Sequence, residues 1–251
     1  EVWTLMGLAH SPHIVRDNLI LYVDAGNVKS YSGSGTTWKD LSGKGNDTEN
    51  GTSPNAASFV STEPKCFNFN QSQSRFMGTP LFAQNVCPNA GTVEVWYQHN
   101  QSTHNEMGML YFEGNGNGFG IERELHLGQR GDGRVNFFIE GADADININT
   151  TDLIAANTWT CAVATFTGLT QDATKSAKVY INGSVKESQV TSANFRNGTI
   201  TNGIIGRARG QINGVYRKLV GKIAVVKVYS KQLSDSEVLK NYHALKSRFG
   251  L

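Results

Sequence analysis

The chain has 251 residues, a formal net charge of +2 and 39% hydrophobic residues. That length suits a single β-sandwich with a sizeable core, and so small a charge makes no case for nucleic-acid binding. No run is long and apolar enough for a transmembrane helix, so no membrane insertion is expected, and no basic start leads into an apolar signal segment.

Residues 1–17 read as an N-terminal arm, and residues 18–251 as one domain. The arm has too little apolar content to fold alone. If ordered, it must offset its lost conformational entropy through contacts. Pro12, Ile14 and Val15 are therefore expected in or near an intersubunit contact, with the chain a homo-oligomer or docked on a different protein.

The first strand is predicted over 19–24, closed by Ala25-Gly26-Asn27. A loop rich in Gly, Ser, Thr and Asn follows over 30–54, where Asp40, Ser42, Gly43 and Gly45 supply turn chemistry. Its large apolar residues, Trp38 and Leu41, are expected to pin it to the body. Further strands are predicted over 66–70, 92–98, 109–113, 118–127, 134–140 and 158–166 from their alternation. Residues 178–181 and 185–187 flank Asn182-Gly183, the strongest short hairpin signal.

The last stretch, 221–245, joins a strand to a helix. Ile223, Val225 and Lys227 alternate with Ala224, Val226 and Val228, the pattern of a central strand buried on both faces. Ser234 and Glu237 form a capping box, with Leu233 and Val238 at the staple positions. Val238, Leu239, Tyr242 and Leu245 then mark one apolar helix face. Many short strands with turns between them and one terminal helix give an all-β antiparallel sandwich.

Candidate chemistry is sparse. Asp143, Asp145, Asn147 and Asn149 share one face of an extended chain, an oxygen-ligand set suited to Ca2+. The run fails as an EF-hand at Ile148 and Ile154. The competing reading is an edge strand whose charges discourage pairing. Arg196, Arg207, Arg209, Arg217 and Lys218 cluster late and, if their loops converge, form a cationic rim; the residues alone read as a solvated surface or a contact with an acidic neighbour. His99, His104 and Glu106 are expected in a wet loop rather than in a zinc site. Cys66, Cys87 and Cys161 read as small buried hydrophobes. No paired-carboxylate spacing for glycoside hydrolysis is found, with Glu94 and Glu140 lacking partners, so the expectation is no enzyme.

The closing pattern Gly-Lys-Ile, apolar strand, Leu-Ser-x-x-Glu and short helix resembles the last strand of laminin-G-like, concanavalin-A-like jelly rolls. The opening NLILYVDAGN, followed by YSGSGTTWKDLSGKGND, resembles the laminin-G-like domains of tailed, often marine, bacteriophage virions. The resemblance implies a jelly-roll β-sandwich and a structural role in head decoration, tail or fibre. Other virion proteins and cell-surface carbohydrate are the implied partners. It also implies synthesis in the host cytoplasm and residence on the particle surface. Laminarinase-like relatives use a strand with E-x-D-x-x-E, which this sequence lacks.

Overall fold

In the computed structural model the described residues are 13–51, 56–69, 77–80, 90–100, 106–114, 124–140, 144–167, 174–192, 200–212 and 215–251. In chain order the strands begin with β1 (Leu19–Asp24), β2 (Thr37–Trp38), β3 (Thr48–Asn50), β4 (Ser58–Val60), β5 (Cys66–Asn68) and β6 (Met77–Thr79). Then come β7 (Ala90–His99), β8 (Glu106–Gly114), β9 (Glu124–Arg130), β10 (Val135–Ile139), β11 (Ile146–Asn149) and β12 (Thr160–Thr167). The last are β13 (Lys175–Ile181), β14 (Ser184–Thr191), β15 (Ile200–Ile205), β16 (Arg207–Ile212), β17 (Val215–Lys218) and β18 (Gly221–Tyr229). A helix, α1 (Asp235–Leu245), and a 3-10 turn, Lys246–Phe249, close the chain.

These strands form two sheets. One has eight strands in the order β14-β13-β12-β7-β18-β5-β4, with β1 also paired to β18. The other has ten, in the order β11-β10-β9-β8-β15-β6-β3-β2, with the β16–β17 hairpin attached beside β8. The predicted sandwich is therefore the observed architecture. Phe67, Tyr97, Phe112, Leu127, Phe137, Phe166, Val226 and Val228 fill the space between the sheets. Trp38 is fully buried in this core, so the long loop is pinned as expected.

The eight-stranded sheet is covered on its other face too. There Trp96, Val163, Tyr180, Ala224, Val225 and Tyr229 pack under Ile14, Val15, Val238 and Phe249. This double burial explains the nearly continuous apolar run of β18. A bulge between Ile223 and Val225 shifts the alternation, so Ile223, Val226 and Val228 face one core while Val225 and Tyr229 face the other.

The second core corrects the reading of the chain ends. Ile14 and Val15, expected at an intersubunit contact, are buried by this chain's own helix and strands. The physical reason is that the outer sheet face would otherwise expose a large apolar surface. Pro12 lies outside the described residues. At the other end, Phe249 stacks on Trp96, with ring centroids 4.5 Å apart.

Local signals explain the rest. Asn182 and Gly183 take φ of 51° and 79°, as a two-residue type I′ turn requires. The Ser234–Glu237 capping box is present. The helix face differs from expectation: Leu239 is 42% exposed, while Asn241 is fully buried. Tyr242 is half-buried and stacked on Trp96. The free thiols Cys66 and Cys161 are buried, and burial raises both pKa values, that of Cys66 to about 11.

Candidate functional site

The site is built on β1 and the loop after it. Asp40 fastens the loop: Oδ1 accepts from the backbone N–H groups of Tyr22 (2.9 Å) and Ser42 (2.8 Å). Its Oδ2 accepts from the Ser42 hydroxyl (2.6 Å) and the Asn46 N–H (3.1 Å). The Leu41 N–H donates to the Tyr22 carbonyl at 2.7 Å, which sets Leu41 beside the strand. A second carboxylate, Asp24, accepts from Arg248 Nη1 (2.6 Å) and the Gly26 N–H (2.8 Å) on Oδ1, and from the Tyr22 hydroxyl (3.1 Å) on Oδ2. A Cβ at position 26 would lie 2.4 Å from the Arg248 guanidinium, so a larger residue there would push that side chain off Asp24.

Between the arm, this loop and α1 lies a cleft of about 510 Å³. Tyr22 and Arg16 line it, with Leu41 on one wall and Ala244 and Leu245 on the other. His13, Ile14, Asn27 and Lys29 complete the lining. Arg16 Nη1 donates to the Leu41 carbonyl at 3.1 Å, and the guanidinium sits 5.7 Å from the Tyr22 ring centroid. Burial first, and then the charge of Asp24, push the Tyr22 phenol far above its usual pKa and keep it neutral. The lining carries Arg16 and Lys29 but no carboxylate among the described residues. Nearby Asp17 is engaged with Lys231 Nζ at 2.8 Å. Such a cleft suits an anionic, hydroxylated ligand, because guanidinium forks match carboxylates.

Of the site residues singled out in the sequence, Ile14 lines this cleft, and the metal and cationic-rim candidates lie elsewhere. Asp143 and Arg196 are outside the described residues. Asp145 is exposed beside β11, an edge strand of the ten-stranded sheet. Asn147 Oδ1 already accepts from Asn136 Nδ2 at 2.9 Å and Asn149 Nδ2 at 3.4 Å. Gln189 clasps this edge to the other sheet: its Oε1 accepts from the Asn147 N–H (2.9 Å) and its Nε2 donates to the Asp145 carbonyl (3.1 Å). Among the described residues no group of three or more His, Cys, Asp or Glu converges on a metal position. The β16–β17 hairpin sets Arg207 directly opposite Lys218, and the backbones of Arg209 and Arg217 lie in the same hairpin.

His99 is not in a wet loop. It ends β7, is 4% exposed, and its Nε2 lies 3.1 Å from the Ile154 carbonyl oxygen. Glu94 is fully buried and ion-paired with Lys227, out of reach of any glycan. The cleft itself was not legible in the sequence. Its lining comes from 13–16, 22–41 and 244–245, and the only local signal was the turn chemistry that places Leu41.

Residues 76–239 match the Laminin_G_3 family of the concanavalin A-like lectin/glucanases superfamily. The chain belongs to this family. No curated protein matches the sequence. Among solved structures, the botulinum neurotoxin serotype G binding domain is similar, with a TM-score of 0.64 at 16% identity over 90% of this chain and 50% of that one. The botulinum neurotoxin serotype D ligand binding domain in complex with N-acetylneuraminic acid gives 0.63 at 15% identity, covering 91% and 51%. Trypanosoma rangeli sialidase in complex with 2,3-difluorosialic acid gives 0.62 at 15% identity, covering 92% and 33%. The laminin-G-like chain thus spans about half of the two toxin domains and a third of the sialidase, and at such identities the likeness is one of fold. The cleft lies entirely outside the span matched to the family.

Proposed function

We propose that this laminin-G-like chain is a non-enzymatic, carbohydrate-binding structural protein of a bacteriophage virion. In this reading it is made in the host cytoplasm and displayed on the particle as head decoration or as part of a tail or fibre. It contacts other virion proteins and further copies of itself.

The observation that carries the carbohydrate reading is the cleft, with Arg16 and Lys29 among apolar walls and no described carboxylate. The serotype D domain, which shares the fold, was solved with a carboxylated sugar, so the same ligand class is the first to try. The virion reading rests on the opening and closing sequence motifs. Fold alone does not fix function.

The test is a glycan array comparing acidic with neutral sugars, followed by calorimetry on any hit. Sialylated or other acidic glycans should bind, Arg16→Ala with Lys29→Ala should abolish binding, and Lys29→Ala alone should weaken it without changing the melting temperature. Binding that survives this double substitution would place the ligand elsewhere. Stoichiometric co-purification with phage particles tests the virion reading, whereas glycan binding without particle association would make the chain a free-standing adhesin.

A further inference from the structure

On the outer face of the eight-stranded sheet, three polar side chains meet with no exposure to solvent: Glu94 of β7, Lys227 of β18 and Asn241 of α1. Glu94 and Lys227 are direct cross-strand partners. Glu94 Oε1 accepts from Lys227 Nζ at 2.5 Å and from Trp96 Nε1 at 2.8 Å. Its Oε2 accepts from Asn241 Nδ2 at 2.9 Å. One carboxylate therefore holds an amine and a carboxamide side by side.

The carboxamide is held in one orientation. The Val15 N–H can only donate, and it lies 2.8 Å from Asn241 Oδ1. Asn241 Nδ2 also donates to the Tyr229 hydroxyl at 2.9 Å, which in turn donates to the Val15 carbonyl at 3.1 Å. Trp96, Tyr22 and Tyr229 are buried around the group.

A structural ion pair needs only the lysine and the glutamate, and apolar residues in their place are often no less stable. The additional features here are those of acyl transfer. There is an amine nucleophile, a proton shuttle on both reacting nitrogens, a backbone N–H on the carbonyl oxygen, and a dry site.

We propose that Lys227 and Asn241 form an autocatalytic isopeptide bond, with Glu94 as the proton shuttle. Glu94 takes a proton from the Lys227 ammonium, and neutral Nζ attacks Asn241 Cγ. The Nζ–Cγ bond forms as the carbonyl electron pair moves onto Oδ1, where the Val15 N–H stabilises it. Glu94 passes its proton to Nδ2 and receives one from Nζ. The Cγ–Nδ2 bond then breaks and ammonia leaves. The product is a secondary amide and a neutral Glu94 acid, so nothing is oxidised or reduced. Two buried charges disappear, and the bond fixes α1 covalently to β18. This step is independent of the carbohydrate and virion readings.

The test is the intact mass of the purified, denatured full chain. It should be lighter than the sequence mass by one ammonia. Trypsin should fail to cut after Lys227 and should release a branched product joining peptide 223–231 to peptide 241–246. Asn182-Gly183 can also lose ammonia as a succinimide, so fragmentation must place the loss. Glu94→Gln keeps the size of the side chain but cannot shuttle protons, and should show the full sequence mass. The decisive measurement is on the unaltered protein and does not depend on a variant that folds. An unmodified mass with ordinary cleavage after Lys227 in folded protein would overturn the proposal, as would a loss mapped to Asn182-Gly183.

Discussion

Replacing Phe249 with alanine should remove a supporting member of the second core. The ring is 6% exposed. It stacks on Trp96 at 4.5 Å, tilts against Trp159 at 4.9 Å, and has the Arg248 guanidinium 5.0 Å from its centroid. Burying a Phe side chain is worth about 1.5–3 kcal/mol from transfer alone, and each aromatic pair adds about 0.5–1.5 kcal/mol. Truncating a buried Phe to Ala usually costs about 3–5 kcal/mol once the cavity is included. The Lys246–Phe249 turn can settle into part of the void, which favours the low end, about 3 kcal/mol. For a chain of this size each kcal/mol lowers the melting temperature by about 2–4 °C, so a fall of about 6–12 °C is expected. Urea and thermal unfolding of Phe249→Ala against wild type would measure it, with Phe249→Leu recovering much of the loss. A cost below about 1 kcal/mol would refute the claim that the chain's own sheet holds this segment, and contacts between subunits would again be needed to explain its order.

Ser234→Ala should cost about 1 kcal/mol, because it removes the capping-box hydroxyl; equal urea midpoints for the two proteins would contradict this. Burial holds His99 below its ordinary pKa of 6.5. Below that pH the unfolded chain binds a proton that the folded chain refuses, so stability should fall on acidification from pH 7 toward 5, and less so in His99→Gln. Stability curves of the same slope for both proteins would discount His99 as the cause. Because the Asn147 oxygen is already engaged, a calcium chelator should leave the melting temperature unchanged. A drop that disappears in Asp145→Ala would instead establish a calcium site at that edge.

The fold was legible where the deciding interaction is local. Strand β1 follows from its short apolar run and the Ala25-Gly26-Asn27 turn signal that closes it, and the Asn182-Gly183 turn and the Ser234–Glu237 cap each need only neighbours a few residues away. Legibility failed where a distant partner decides. Asn241 interrupts the apolar helix face because it answers Glu94, 147 positions earlier in the chain. Lys227 looks like a break in a buried strand until its cross-strand carboxylate is known. The bulge after Ile223 changes the phase of β18, and a plain two-residue alternation cannot show that. His99 reads as loop because its acceptor, the Ile154 carbonyl, lies 55 positions away.

The same reasoning explains where the cleft comes from. A sheet apolar on both faces needs a second cover, and a single helix of 11 residues is too narrow to supply it. The arm fills the remainder with Ile14 and Val15, and the Lys246–Phe249 turn adds Phe249. Two covers laid side by side leave a seam, and the seam opens where the arm's Arg16 meets Leu41 of the loop and Leu245 of the helix. Arg16 is tied across that gap to the Leu41 carbonyl, so the packing that completes the second core also sets a guanidinium over the Tyr22 ring. Residues that close the fold thus position the charge offered to a ligand. Substitutions in the arm should therefore change stability and binding together, except at side chains such as Lys29, which is exposed and lines the cleft without entering the second core.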